Sequence, residues 1–186
     1  KPSAHQIHGI RATHQPSPWI GDYGHFLISV QSGQRLLHAS QRASSFRMNE
    51  TVIKPHFFKT NLLRYDTTLE FTSTERCSIL RATFPPDREA RLIVDLFDGP
   101  GQFNIDLETN SISGFTRANS GGVPENFALY FYLKFDCIIK QSGIFTSEET
   151  FSGLGVYSGE SPGAYVEFSE PRKPVTAHIA TSFVNV

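Results

Sequence analysis

The stretch Phe127-Ala128-Leu129-Tyr130-Phe131-Tyr132-Leu133-Lys134-Phe135 places a large apolar side chain at every second position. Successive side chains of a β-strand point to opposite faces, so this period of two predicts a strand with one face in a hydrophobic core. Val175–Phe183 alternates in the same way, and so does the segment that runs from Leu63 to Phe71. The sequence therefore predicts half-buried strands at three well-separated places.

Seven shorter runs have the composition of strands, and turn-forming residues separate many of them. The runs are His25–Val30, Pro55–Thr60, Cys77–Phe84, Arg91–Phe97, Phe103–Leu107, Ile112–Arg117 and Ala164–Ser169. Gly, Pro, Asp and Ser predict turns at Asp98–Gly101, Ser120–Gly122, Gly153–Gly155 and Ser161–Gly163. A helix is considered only for Gln34–Met48. This spacing predicts an all-β, antiparallel β-sandwich with few helices.

The length of 186 residues and the 39% hydrophobic content suit one globular domain with a real core, and we expect a single domain over residues 1–186. The formal net charge of −1 gives no general attraction to nucleic acid or to an anionic membrane. No apolar run approaches the roughly 20 residues of a membrane-spanning helix. The N-terminal residues lack the apolar stretch of a signal peptide, so the chain is cytoplasmic or has lost a targeting segment.

Both ends of the chain look cut. The strand predicted from Val175 runs almost to the last residue, and Gly9–His14 resembles a strand that begins without a lead-in. We therefore expect a fragment of a longer protein.

The two cysteines, Cys77 and Cys137, each lie in an apolar strand-like run. Two buried thiols are the simpler interpretation of that placement. A single disulfide between strands is the alternative, and it would indicate an oxidising compartment.

Common catalytic signatures are missing from the sequence. It contains no Gly-x-Ser-x-Gly, no His-Glu-x-x-His and no Cys-x-x-Cys. The carboxylates considered as an acid/base pair are Asp22, Asp66, Glu70, Asp95, Asp98 and Asp106. Most of them lie on predicted strand faces or in turns, where an ordinary solvated carboxylate is the better interpretation. The sequence therefore predicts no catalytic and no metal-ligating residue in this chain.

One segment, Thr13–Gly24, has the composition of a sugar-binding site. Pro16 and Pro18 stiffen it, and between the prolines and Gly24 lies Trp19, which is the single tryptophan of the chain. An indole can cover the apolar face of a pyranose, while short polar groups bind its hydroxyls. The predicted substrate-binding residues are Trp19, His14, Gln15 and Asp22. A rigid packed loop with Trp19 as a plug is the alternative.

Four stretches of the chain resemble the N-terminal region of family 92 α-mannosidases. They are Gly9–Gly24, Lys54–Lys59, Thr74–Cys77 and Ser161–Phe168, and the first is the most specific because it is long and unusual in composition. The resemblance implies a β-sandwich similar to the galactose-mutarotase-like supersandwich, followed by a helical domain that carries the catalytic acid and base. The chain departs from the family at its start, where members have further residues before the region that matches Gly9.

The resemblance also implies a function for the whole protein. Family members are calcium-dependent, inverting exo-α-mannosidases that act on mannose-containing glycans such as α-1,2-linked mannosides. That activity implies a secreted or periplasmic enzyme of N-glycan degradation, with calcium ligands mostly outside this chain. We therefore expect a non-catalytic domain that forms one wall of a sugar site and has the helical domain as its partner. The alternatives are an independent carbohydrate-binding module and a sandwich used only for adhesion or assembly.

Overall fold

The computed structural model describes residues 6–11, 24–169 and 173–186, and strands dominate all three ranges. In chain order they are β1 Gln6–Ile7, β2 Ile10–Arg11, β3 Phe26–Ser32, β4 Ser44–Ser45, β5 Val52–Lys54, β6 Phe57–Leu62, β7 Thr67–Ser73, β8 Cys77–Thr83, β9 Ala90–Leu96, β10 Pro100–Asp106, β11 Ser111–Thr116, β12 Leu129–Phe135, β13 Ile139–Phe145, β14 Thr150–Ser152, β15 Val156–Glu160, β16 Gly163–Phe168 and β17 Val175–Ser182. Two short 3₁₀ turns, Ala39–Gln41 and Met48–Glu50, accompany them.

Two antiparallel sheets form the sandwich, which confirms the predicted fold class. One sheet has nine strands in the order β15-β10-β11-β12-β17-β8-β7-β6-β5, and the other has six in the order β14-β13-β16-β9-β3-β2. The inward-facing side chains of both sheets form one large buried cluster, to which Leu129, Phe131, Leu133 and Phe135 of β12 all belong. Among the described residues, no helix is long and apolar enough to span a membrane.

Two of the elements considered from the sequence differ from the structure. The strand predicted from Leu63 begins only at Thr67, because Leu63–Asp66 turn the chain from β6 into β7 and Asp66 has a positive φ of 48°. The helix considered for Gln34–Met48 is not formed beyond a single 3₁₀ turn at Ala39–Gln41 and the start of another at Met48. Side-chain contacts with the sheet below hold most of this segment in an irregular path.

We call residues 33–43 the strap, because they cross the outer face of the six-stranded sheet between β3 and β4. Leu37 packs into a second small core cluster formed by Ile93, Phe145 and Tyr165. Arg42, which is buried, forms an ion pair with Asp95 of β9. The chain thus covers this outer face with its own residues.

Both cysteines are free thiols. The expectation of two buried thiols is wrong for Cys77, which is exposed because it begins β8 on the outward face of the nine-stranded sheet. Cys137 is half-buried, and burial together with the neighbouring Asp136 carboxylate raises the pKa of its thiol. A disulfide between the two strands is not formed.

Candidate functional site

The four predicted substrate-binding residues, His14, Gln15, Trp19 and Asp22, lie outside the described residues. Their roles stay predictions. The structure does place the two ends of their segment, because Arg11 closes β2 and Gly24 precedes β3.

Both ends of that segment meet at Phe97, in the connection after β9. The guanidinium carbon of Arg11 lies 4.9 Å from the centre of the Phe97 ring, and the ring of His25 lies 4.6 Å from it. His25 Nε2 is 3.5 Å from a carboxylate oxygen of Asp98. One aromatic ring therefore contacts a residue shortly before the segment and the residue just after it.

Gly24 is fixed at its position by space and by backbone conformation. Its amide donates to the carbonyl of Ala118 at 2.7 Å. Its φ is +71°, and a Cβ added there would lie 2.2 Å from the Cβ of Leu129. No other residue type meets both conditions, so the chain enters β3 along one defined path.

All four stretches that carry the family resemblance reach the same end of the sandwich, which we call the loop end. Antiparallel pairing brings there the ends of β2 and β17, the start of β3, and the connections β5–β6, β7–β8, β9–β10, β11–β12 and β15–β16. Thr72 donates to the carbonyl of His56 at 2.7 Å, which ties the β5–β6 turn to the end of β7. Residues spread over about 160 positions of the sequence are thereby gathered into one region of the surface.

A groove of about 250 Å³ opens at the loop end beside Arg11. Its polar wall is the β7–β8 turn, Thr74–Cys77, together with Thr181 of β17, and its apolar floor includes Phe26 and Ile179. The groove therefore combines hydroxyl, carboxylate and guanidinium groups with apolar surface, as a sugar-binding surface does. The groove lies next to the residue from which the Trp19 segment leaves the sheet.

The turn that forms this wall is rigid. The amide of Thr74 donates to the carbonyl of Cys77 at 2.8 Å, and the amide of Cys77 donates to the Thr74 hydroxyl at 3.2 Å. The carbonyl of Arg76 accepts from the amide of Thr181 at 2.9 Å and from its hydroxyl at 3.2 Å. Hydrogen bonds therefore hold the backbone on both sides of Arg76. Its side chain is 67% exposed and extends from this fixed backbone.

The carboxylates considered for acid/base chemistry are dispersed. Asp66 and Asp106 lie at the end of the sandwich opposite the loop end, and Asp95 lies under the strap. A hydrogen bond from Arg81 lowers the pKa of Glu70, and hydrogen bonds from Thr109 lower the pKa of Asp106. The proton donor of a glycosidase needs the opposite shift, a raised pKa.

Within the described ranges, no group of three or more His, Cys, Asp or Glu side chains could hold a metal ion. At the loop end, the carboxylates of Glu75 and Asp98 are 90% and 76% exposed, and Asp98 already faces His25. These described residues do not fit a calcium site, since calcium takes six to eight oxygen ligands that converge on it.

Sequence reasoning did not single out Arg76 or Thr181 as site residues. Thr74–Cys77 was noticed only as part of the resemblance, and Thr181 only as one position of an alternating strand. The contact between Thr181 and Arg76 depends on the register of β17 with β8, in which Ala180 pairs with Cys77. No local pattern in the sequence specifies that register.

The fold and the loop end together define the class of protein domain. It is an all-β antiparallel sandwich with its candidate site at one end. The model of the glycosyl hydrolase family 92 N-terminal domain matches residues 1–182. The chain belongs to this family. No curated protein sequence matches it.

Solved structures agree with this assignment. A family GH92 inverting mannosidase from Bacteroides thetaiotaomicron superposes with a TM-score of 0.93 and 28% identity, over 98% of this chain and 25% of that one. A family GH92 alpha-mannosidase from the same organism, in complex with mannoimidazole, superposes with a TM-score of 0.81 and 19% identity, over 99% of this chain and 27% of that one. The second likeness supports the fold alone. The chain spans about a quarter of the length of these structures.

Proposed function

We propose that this chain is the non-catalytic sugar-site domain of an exo-α-mannosidase, and that its loop end forms one wall of the active site. The observation that supports the proposal most is the convergence of the four family-like stretches on that end. Because the relatives are about four times as long, the catalytic acid and base are assigned to the part of the protein outside this chain.

The substrate is a mannose-containing glycan with an α-linked terminal mannose, such as an α-1,2-mannoside. Trp19 covers the sugar on the leaving-group side of the scissile bond, and His14, Gln15 and Asp22 bind its hydroxyls. The groove beside Arg11 supports this assignment, since it provides polar groups and apolar surface next to the start of the segment. Arg76, which lines the same groove, is assigned a contact with a further sugar of the glycan.

Hydrolysis proceeds with inversion and depends on calcium. We assign the calcium ligands mostly to the part of the protein outside this chain. An inverting mechanism places a general acid and a general base about 6.5–9.5 Å apart with a water between them. This chain contributes the binding and orientation of the glycan, which a secreted or periplasmic enzyme of N-glycan degradation requires.

The experiment uses the full-length protein with α-1,2-mannobiose. Proton NMR of the early reaction is expected to show β-mannose as the first anomer released, and chelation of calcium is expected to stop the release. The separately expressed chain 1–186 is expected to release none. Absence of mannose release by the full-length protein, with tight binding of mannobiose by the separate chain, would instead establish an independent carbohydrate-binding module.

A further inference from the structure

The groove at the loop end lies between the two sheets. Arg11 of β2, at the edge of the six-stranded sheet, lines one side, and Arg76 of the β7–β8 turn, in the nine-stranded sheet, lines the other. Hydroxyl side chains of Ser73, Thr74 and Ser78 line the groove as well. A ligand in the groove therefore meets a guanidinium side chain from each sheet and a set of hydroxyl groups.

Phe97 restricts the position of the Arg11 side chain. The register of β3 with β9 pairs Phe26 with Leu96, so His25 and Phe97 are the next residues beyond this pair. The centres of their rings lie 4.6 Å apart, and His25 is buried. The guanidinium carbon of Arg11 lies 4.9 Å from the centre of the Phe97 ring. Phe97 thus connects an exposed cation to a buried ring.

A guanidinium held against an aromatic ring suits the recognition of two neighbouring oxygens. Its N–H groups lie in one plane as a rigid fork, which donates two parallel hydrogen bonds. Adjacent hydroxyls of a pyranose supply a pair of acceptor oxygens. Because the Phe97 ring already limits the side chain, Arg11 loses less conformational freedom when it binds such a pair.

We propose that Arg11 is a specificity-determining residue for glycans longer than a disaccharide, and that Phe97 is its positioning residue. The guanidinium donates to two adjacent hydroxyls of the third sugar, counted from the cleaved mannose. This inference rests on the proposed function, in which Trp19 covers the second sugar. The third sugar is assigned to the groove because Arg11 is the last described residue before the Trp19 segment.

Initial rates of the full-length enzyme with α-1,2-mannobiose and α-1,2-mannotriose test this proposal. The measured quantity is the ratio of kcat/KM for the trisaccharide to kcat/KM for the disaccharide. Arg11→Lys keeps the charge but removes the fork, and we expect it to lower this ratio about tenfold. Phe97→Leu removes only the ring that positions Arg11, and we expect it to lower the ratio about threefold.

Phe115→Leu is the matched control for Phe97→Leu. The Phe115 ring also contacts an arginine, Arg117, at 5.4 Å, and an aromatic ring, that of Tyr130, at 5.8 Å. It belongs to β11, three strands away from β8 in the nine-stranded sheet, so its loss should leave the ratio unchanged. A merely structural role of Arg11 and Phe97 would lower kcat/KM for both substrates equally. An unchanged ratio in Arg11→Lys would therefore overturn the proposal.

A binding measurement separates this proposal from failure of the proposed activity. If the full-length protein hydrolyses neither substrate, isothermal titration calorimetry compares its affinity for the two saccharides. Tighter binding of the trisaccharide by the wild type, with the difference lost in Arg11→Lys, would support the role of Arg11 without hydrolysis. Equal affinity of the wild type for both saccharides, or an unchanged difference in Arg11→Lys, would overturn it. Thermal unfolding at the wild-type temperature verifies that Arg11→Lys is folded.

Discussion

Arg91 and Glu167 are cross-strand partners of β9 and β16, and the arginine donates to the carboxylate Oε1 at 2.8 Å from Nε and 2.7 Å from Nη2. Arg35 of the strap reaches the same oxygen at 2.8 Å. A single buried carboxylate thus holds two guanidinium groups and attaches the strap to the six-stranded sheet. Although Glu167 belongs to one of the family-like stretches, its contacts are structural.

Glu167→Gln is expected to lower the free energy of unfolding by about 3 kcal/mol, because it leaves the buried guanidinium of Arg91 and the half-buried one of Arg35 without their counter-charge. Urea denaturation measures the change. Glu50→Gln is the control, since Glu50 is 43% exposed and its ion pair with Arg47 lies at the surface. It is expected to change the stability by less than about 0.5 kcal/mol. Equal effects of the two substitutions would contradict the structural role of Glu167.

The same carboxylate predicts an acid-sensitive fold. Burial alone would raise the pKa of Glu167, but the hydrogen bonds and charges of Arg35 and Arg91 outweigh it and lower the pKa. A carboxyl group whose pKa is lowered in the folded state stabilises the fold above the ordinary pKa of about 4.3. That stabilisation is lost as the pH falls through the lower folded-state pKa.

Urea midpoints measured between pH 7 and pH 3 test this linkage. The wild-type midpoint is expected to fall steeply below about pH 4. Glu167→Gln is expected to show a shallower fall, because it has no charge to lose at this position. Parallel curves for the two proteins would show that other carboxylates cause the acid sensitivity.

Gly24→Ala is expected to destabilise the domain by about 3 kcal/mol, because the new methyl group would overlap with Leu129. Gly121→Ala is a matched control, since Gly121 has a φ of +99° and open space around its Cβ position. It is expected to cost about 1 kcal/mol from backbone strain alone. Thermal or urea unfolding measures the change in the free energy of unfolding for both variants. An equal decrease in the two would show that Leu129 moves aside at little cost when Gly24 gains a methyl group.

Arg76→Ala in the full-length enzyme is expected to lower kcat/KM for a mannose oligosaccharide about tenfold, which is the size of one lost hydrogen bond from a charged group. Its side chain is 67% exposed, so stability should not change. Arg88→Ala removes another exposed arginine, in the β8–β9 connection at the end opposite the loop end, and should leave kcat/KM unchanged. The same kcat/KM for both variants would remove Arg76 from the sugar site.

The all-β class was predictable because most strands have one buried face. β12 follows strict alternation from Leu129 to Phe135 and lies where the sequence predicts it. β13, Ile139–Phe145, was missed because a bulge between Ile139 and Gln141 breaks its alternation. The side chains of Ile144 and Phe145 also pack into separate clusters on the two faces of the sheet.

Less of the candidate site was predictable. A single sequence gives the composition of the Trp19 segment, but it does not show that Arg11 and His25 both contact Phe97. The groove likewise depends on Thr181 reaching Arg76, a contact between residues 105 positions apart. Such contacts follow from strand order and register, which local propensities do not determine.

Trp19→Ala in the full-length enzyme tests the central claim most directly. We expect kcat/KM for α-1,2-mannobiose to fall about ten- to thirty-fold, because in the proposed site the indole would cover the leaving-group sugar and supply about 1–2 kcal/mol of stacking. An aryl mannoside, whose activated leaving group depends less on that contact, should lose much less. Equal kcat/KM of variant and wild type on the disaccharide would contradict the claim that this domain forms a wall of the sugar site through Trp19.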